Sequence, residues 1–213
     1  MVYIFEWNLK KCSILITLLF LLTACTADDS KEADSTGTQS NASTFITIQP
    51  AELSEREQTI INQIGGDYQS FFTIKGDLGP DETIVQSIGV YREGQKEEER
   101  LTSFSDSLEG DLHSYQLRLE DETTYLRIGF PSGSAGASTV LPDQLGTFVY
   151  QQMEEEFTLT KGEPVYVAYL IGSSQNSMSF RQPEDWTTVP TSVQEAEYSI
   201  VFKVEWRDTK DHS

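Results

Sequence analysis

Residues 198–206 read YSIVFKVEW, and they establish more about the architecture than any other stretch of the chain. Large apolar side chains occupy every second position, namely Tyr198, Ile200, Phe202, Val204 and Trp206. The positions between them are mixed, namely Ser199, Val201, Lys203 and Glu205. Because successive side chains of a strand point to opposite faces, this alternation predicts a β-strand with one face in a core.

The same period of two recurs upstream, so we expect about eight strands and a mainly β fold. The predicted strands are residues 68–75, 83–92, 98–105, 112–120, 123–130 and 165–172, with a short run at 45–48. Residues 145–151 and 156–160 are further strand candidates, with a helical turn over 151–156 as the alternative. The connections are short, and strands do not alternate with helices, which favours antiparallel pairing. An antiparallel β-sandwich is the expected solution, with an immunoglobulin-like topology as one form of it and a small barrel as the alternative.

Three segments carry structural predictions of their own, namely a central strand, a loop and a helix. Residues 165–172 are apolar at alternate positions on both faces, which predicts a central strand. Residues 131–142 are rich in Gly, Ser, Ala and Thr, and we expect a mobile loop there. One short N-terminal helix is predicted over 54–64, because Ser54 and Glu57 form a capping-box pattern ahead of an isoleucine stripe.

The first 25 residues indicate where the protein is held. Lys10 and Lys11 precede an apolar run from Cys12 to Leu22, which is too short to cross a bilayer as a helix. The motif Leu22-Thr23-Ala24-Cys25 follows, and this order resembles the signal peptide and lipobox of bacterial lipoproteins. The resemblance implies that residues 1–24 are removed and that Cys25 carries a lipid on the extracytoplasmic face of the cell membrane. An uncleaved membrane anchor with an incidental cysteine is the alternative.

The rest of the layout loosely resembles small lipoproteins of Gram-positive bacteria. Residues 26–44 contain no large apolar side chain, so the lipidated cysteine and this segment together (25–44) are expected to form a disordered tether. Residues 45–213 then form a single β-rich extracytoplasmic domain. Removal of the signal would also remove Cys12, which leaves no partner for a disulfide.

The charge of the chain restricts its partners. The formal net charge is −19 at pH 7, which argues against nucleic acid, because phosphate binding needs clusters of Lys and Arg. A cationic partner or a divalent cation is the functional interpretation of this acidity, and solubility is the simpler one. The acidic runs 97–99 and 154–156 are expected to lie at solvated edges, where charge opposes strand-to-strand aggregation.

Catalytic motifs are missing from the sequence. His113 and His212 are the two histidines, and neither belongs to a zinc-binding or Gly-x-Ser-x-Gly pattern. His113 is therefore predicted to be a polar residue at a sheet rim, and we expect no catalytic residue, no metal and no cofactor. A pair of carboxylates could still serve a hydrolase, but 34 acidic residues give too many pairs to choose from.

Aromatic residues are the better candidates for binding. Trp186 lies in an irregular, proline-flanked segment, and Phe180 and Tyr166 are near it in the sequence. An exposed Trp on a loop can stack on a sugar or anchor a partner protein, whereas a buried one would close the open end of the sandwich. The expected function is a lipid-anchored, non-catalytic binding or accessory module of the bacterial cell envelope, whose partner is an envelope protein or a glycan. An envelope hydrolase is the alternative.

Overall fold

The computed structural model describes residues 45–108, 112–178 and 180–212. They belong to a compact unit that comprises residues 43–213. The predicted signal peptide, the lipobox with Cys25 and the predicted tether lie outside the described residues, and these interpretations stay predictions.

The described residues are mainly β, as the sequence predicted, and the strands form two antiparallel sheets. The strands are β1 (Ile46–Pro50), β2 (Tyr68–Lys75), β3 (Glu82–Arg92), β4 (Gln95–Ser105), β5 (Leu112–Glu120), β6 (Thr123–Phe130), β7 (Gly133–Val140), β8 (Thr147–Gln152), β9 (Phe157–Leu159), β10 (Pro164–Ser173) and β11 (Tyr198–Asp208). The helices are α1 (Glu55–Ile64), α2 (Thr191–Glu195) and a 3-10 turn (Thr209–His212). One sheet has the order β7-β6-β5-β2-β1-β9, and the other has the order β4-β3-β11-β10-β8.

β11 is the middle strand of the five-stranded sheet and pairs with β3 along its whole length, from Tyr198 opposite Arg92 to Asp208 opposite Glu82. Phe202 is fully buried in a core to which both sheets contribute. Its ring lies 4.9 Å from that of Tyr115, a residue of β5 in the opposite sheet. The alternation in residues 198–206 therefore fixes which face of the strand meets the second sheet.

The outer face of the five-stranded sheet is also partly covered, by the chain that leads from β10 to β11. Tyr169, Val201 and Val193 belong to a second buried cluster on this face. Because both sides of β10 are covered, its two apolar faces are explained, and the prediction of a central strand is confirmed.

The prediction of a mobile loop over 131–142 is wrong, because β7 occupies most of it. Gly133 to Val140 pair residue by residue with β6, from Phe130 opposite Gly133 to Thr123 opposite Val140. Small side chains offer little hydrophobic periodicity, but an edge strand needs only one neighbour to satisfy half of its backbone groups. The neighbouring strand therefore overrides the low strand propensity of this segment.

His113 does not lie at a sheet rim as predicted. It is buried between the sheets, and its Nδ1 lies 2.9 Å from Nε2 of Gln86 on β3. Gln86 interrupts the apolar face formed by Ile84, Ile88 and Val90, and this hydrogen bond is the reason that a polar residue is tolerated there. The pair joins the two sheets inside the core and is not placed to meet a substrate.

Candidate functional site

The first candidate surface is a concavity of about 490 Å³ that we call the acidic concavity. Its walls come from the β8–β9 connection and from the irregular segment before α2. The lining residues are Met153, Glu154, Glu155, Glu156, Phe157, Gln182, Pro183, Glu184, Asp185 and Trp186. Among the described residues, five carboxylates and no Lys or Arg line it, so this surface is suited to positively charged groups.

Trp186 is an aromatic residue of this concavity that packing holds in place. Its ring lies 6.2 Å from that of the fully buried Tyr169, tilted by 45°. Its carbonyl oxygen accepts a hydrogen bond of 2.7 Å from the backbone N–H of Tyr166. Because Trp186 is only partly buried, part of the indole stays accessible to a ligand in the concavity while the rest is held against the sheet.

Asp185, next to Trp186, is held in position by its own loop. Its Oδ1 accepts hydrogen bonds from the backbone N–H of Thr187 at 2.8 Å and from the Thr187 hydroxyl at 2.7 Å. These bonds hold the pKa of Asp185 below its ordinary value of 3.8. The residue therefore presents a fixed negative charge beside the indole at neutral pH.

The structure does not bring the three predicted binding residues into one surface. Tyr166 lies instead in a separate small cavity of about 90 Å³ with Tyr91, Glu99 and Lys203. Burial raises the pKa of Tyr166 above its ordinary value. Phe180 is 51% exposed and lines neither of these cavities. Trp186 alone of the three belongs to the acidic concavity.

A second candidate surface was not predicted. We call it the arginine trough: it has a volume of about 400 Å³ and lies on the outer face of the six-stranded sheet. The polar and aromatic side chains that line it are Gln116, Arg118, Tyr125, Arg127 and Ser138. The outward positions of β5 and β6 were recognisable in the sequence, but their alignment required the register Gln116 opposite Arg127 and Arg118 opposite Tyr125.

Metal binding and hydrolysis each require a particular set of side chains. The described residues contain no group of three or more His, Cys, Asp or Glu that could hold a metal ion. The five carboxylates of the acidic concavity are all solvent-exposed, whereas the general acid of a glycosidase lies in an apolar pocket. Such a pocket raises the pKa of a carboxyl, whereas the pKa of Asp185 is lowered.

Comparison with protein-family models, with curated proteins and with solved structures gave no match for this chain. None of the helices in the described ranges is long and apolar enough to cross a membrane. The function is therefore inferred from the side chains of the two surfaces and from the sequence of the N-terminal segment.

Proposed function

We propose that this protein is a lipid-anchored, non-catalytic binding module of the bacterial cell envelope, and that the acidic concavity contacts its partner. The observation that carries the proposal is the position of Trp186, which is fixed against Tyr169 yet lines a concave surface together with five carboxylates. Cys25 would hold the module on the extracytoplasmic face of the membrane. The immunoglobulin-like form of the fold stays a prediction.

The partner of this surface is a cationic group, such as a lysine-rich segment of an envelope protein or an amino-bearing glycan. A cation placed over an indole is attracted by the ring quadrupole, and the contribution is about 0.5–1 kcal/mol at an exposed site. Carboxylates around the ring add a field of the same sign, which steers the partner towards the concavity. Asp185 is the carboxylate held in place nearest to Trp186 in the sequence.

The tether would complement this surface. A flexible coil of nineteen residues spans roughly 24 Å on average, so a tether over 26–44 would place the module clear of the lipid headgroups. The net charge of −19 also disfavours contact between the module and anionic lipid. The module would therefore face the envelope space and not the bilayer.

Tryptophan fluorescence tests the proposal. We expect tetralysine to quench or shift the emission of the full-length protein, and tetraglycine to leave it unchanged. Trp186→Phe should abolish the response, whereas Trp206→Phe, which alters a partly buried Trp outside the concavity, should keep it. A folded protein whose emission tetralysine does not change would contradict the assignment of this surface.

A different measurement distinguishes the binding module from the alternative function, an envelope hydrolase. Incubation with purified envelope polysaccharide and peptidoglycan should release no reducing ends if the module only binds. Release that is lost in Glu155→Gln or Asp185→Asn would overturn the non-catalytic assignment.

A further inference from the structure

The arginine trough has a regular layout on the sheet surface. One row across the strands holds Arg118, Tyr125 and Ser138, and the next holds Gln116, Arg127 and Gly136. Same-face neighbours along a strand are about 7 Å apart, and three adjacent strands span about 10 Å. The trough therefore offers two guanidinium groups and one aromatic ring over an area comparable to a short oligosaccharide.

Both sides of the trough are held in place. On one side Gly66 crosses β5 so closely that a Cβ on it would lie 2.2 Å from the carbonyl oxygen of Leu117. The Asp67 carboxylate fastens this crossing by accepting the N–H of Leu119 at 2.6 Å. On the other side Nε of Arg100 donates to the carbonyl oxygen of Ser138 at 2.8 Å. The trough is thus preformed, which lowers the entropic cost of binding a ligand.

The charged side chains that line the trough are positive, whereas the chain as a whole is strongly negative. None of the described residues that line the trough carries a carboxylate, although the net charge of the chain is −19. Arg118 is paired with Glu120 at 2.8 Å, on the same strand. Arg127 is solvent-exposed, and within the described part of the chain its guanidinium has neither an ion pair nor a hydrogen bond. Arg127 is therefore available to a ligand anion.

The aromatic component is Tyr125. Its side chain is 43% exposed, and the Arg118 guanidinium carbon lies 5.0 Å from the centre of its ring. This cross-strand contact restricts both side chains before a ligand arrives. An aromatic face beside a guanidinium suits a ligand that combines an apolar ring face with an anionic substituent.

We propose that the arginine trough is a second binding site, separate from the acidic concavity, and that its ligand is a saccharide bearing carboxylate or phosphate groups. Arg127 would bind the anionic group in the bidentate geometry that guanidinium favours, and Tyr125 would pack against the sugar ring. Gln116 and Ser138 supply hydrogen bonds to hydroxyl groups. Two arginines are too few for a nucleic-acid backbone, which requires a longer basic track.

Calorimetric titration of the full-length protein tests this site with four defined probes. Trigalacturonate carries carboxylates on sugar rings, glucose 6-phosphate carries a phosphate, maltotriose is neutral, and inorganic phosphate is an anion without a ring. We expect one of the two anionic saccharides to bind at least tenfold more tightly than maltotriose and inorganic phosphate, and the better one identifies the anionic group. No binding of either anionic saccharide, or equal binding of maltotriose, would overturn the proposal.

Matched arginine variants locate the binding. Arg127→Gln should weaken the better probe by about tenfold or more, since a hydrogen bond to a charged group contributes that much. Arg181→Gln removes an exposed arginine that lies outside the trough and should change binding by less than about twofold. Wild-type affinity in Arg127→Gln, or an equal loss in Arg181→Gln, would refute the assignment.

Two more variants separate this site from the proposed function. Tyr125→Ala should weaken the saccharide but leave the weak binding of inorganic phosphate unchanged, and an equal loss for both would contradict a role in ring packing. Trp186→Phe should leave saccharide binding at the wild-type level. If Trp186→Phe also lost saccharide binding, the two surfaces would be one site, and the proposal of a second site would be contradicted. A negative result with tetralysine would contradict the proposed function of the acidic concavity but not the saccharide site.

Discussion

Replacement of Phe202 by Ala tests whether residues 198–206 are oriented as the structure shows. The Phe202 side chain is fully buried on the inner face of β11. Its ring lies 4.9 Å from that of Tyr115 and 6.4 Å from that of Tyr150. A shift of the strand by one residue would move Phe202 to the outer face and place Val201 in the core. Val201 is itself buried in the outer cluster, so the cost of this substitution reports burial of the Phe202 ring against Tyr115 and Tyr150.

The magnitude follows from burial and from these ring contacts. Truncation of a buried Phe to Ala costs about 3–5 kcal/mol, and the loss of two aromatic contacts places Phe202→Ala towards the upper end of that range. With a urea dependence of about 2 kcal/mol per molar for a domain of this size, the unfolding midpoint should fall by roughly 2 M. Urea titration followed by far-UV circular dichroism and by tryptophan fluorescence measures this shift.

Phe180→Ala is the matched control, because the Phe180 side chain is 51% exposed. It should change the free energy of unfolding by less than about 0.5 kcal/mol. If Phe202→Ala does not fold, Phe202→Leu should still fold and lose about 1–1.5 kcal/mol. Equal small effects of the Phe202 and Phe180 substitutions would refute the inward orientation of β11.

Three other predictions concern the turns and polar contacts of the domain. Gly94→Ala should strongly destabilise the β3–β4 hairpin, because Gly94 has φ +73° and a Cβ there would lie 2.0 Å from the Gln194 carbonyl oxygen. Thermal unfolding measures this loss, and an unchanged unfolding midpoint would contradict it. The hydrogen bond from Lys161 holds the pKa of Glu82 below 4.5, so the stabilising contribution of Glu82 is present above pH 4.5 and is lost as the pH falls through the folded-state pKa. Glu82→Gln should therefore make the stability less dependent on pH in the acid range, and an unchanged pH dependence would argue against this. Tyr115→Phe should cost about 1 kcal/mol in urea, since it removes a 3.1 Å hydrogen bond to β11, and a gain in stability would contradict that role.

The parts of the fold that the sequence predicted are strands whose buried positions, on one face or on both, carry large apolar side chains. β5 and β6 have this property, and their alternating side chains placed both strands and the tight turn between them at Asp121. β7 lacks it, because Gly, Ser and Ala show no difference between the two faces. Its existence depends on pairing with β6 across a tight turn, and the hydrophobic periodicity of the segment carries no signal for that pairing.

The candidate site was likewise predictable from the sequence only in part. The composition around Trp186 predicted an irregular segment and left open whether the indole is exposed or closes the end of the sandwich. The structure shows a partly buried Trp186 that lines a concavity. The carboxylates of 154–156 join it only because the β8–β9 connection folds against the same segment. The arginine trough depends on the register of three strands, so Arg118 and Arg127 could not be combined from the sequence. The predicted position of His113 was wrong because its hydrogen-bond partner, Gln86, belongs to the opposite sheet.

The proposal that the protein is a lipid-anchored envelope module depends on the chemistry of Cys25. Intact-mass and peptide mass spectrometry of the native protein, purified from bacterial membranes, tests this directly. We predict a chain that starts at Cys25 and carries a diacylglycerol group on its sulfur. A native chain that retains residues 1–24 with an unmodified Cys25, recovered from the cytoplasm, would contradict the account.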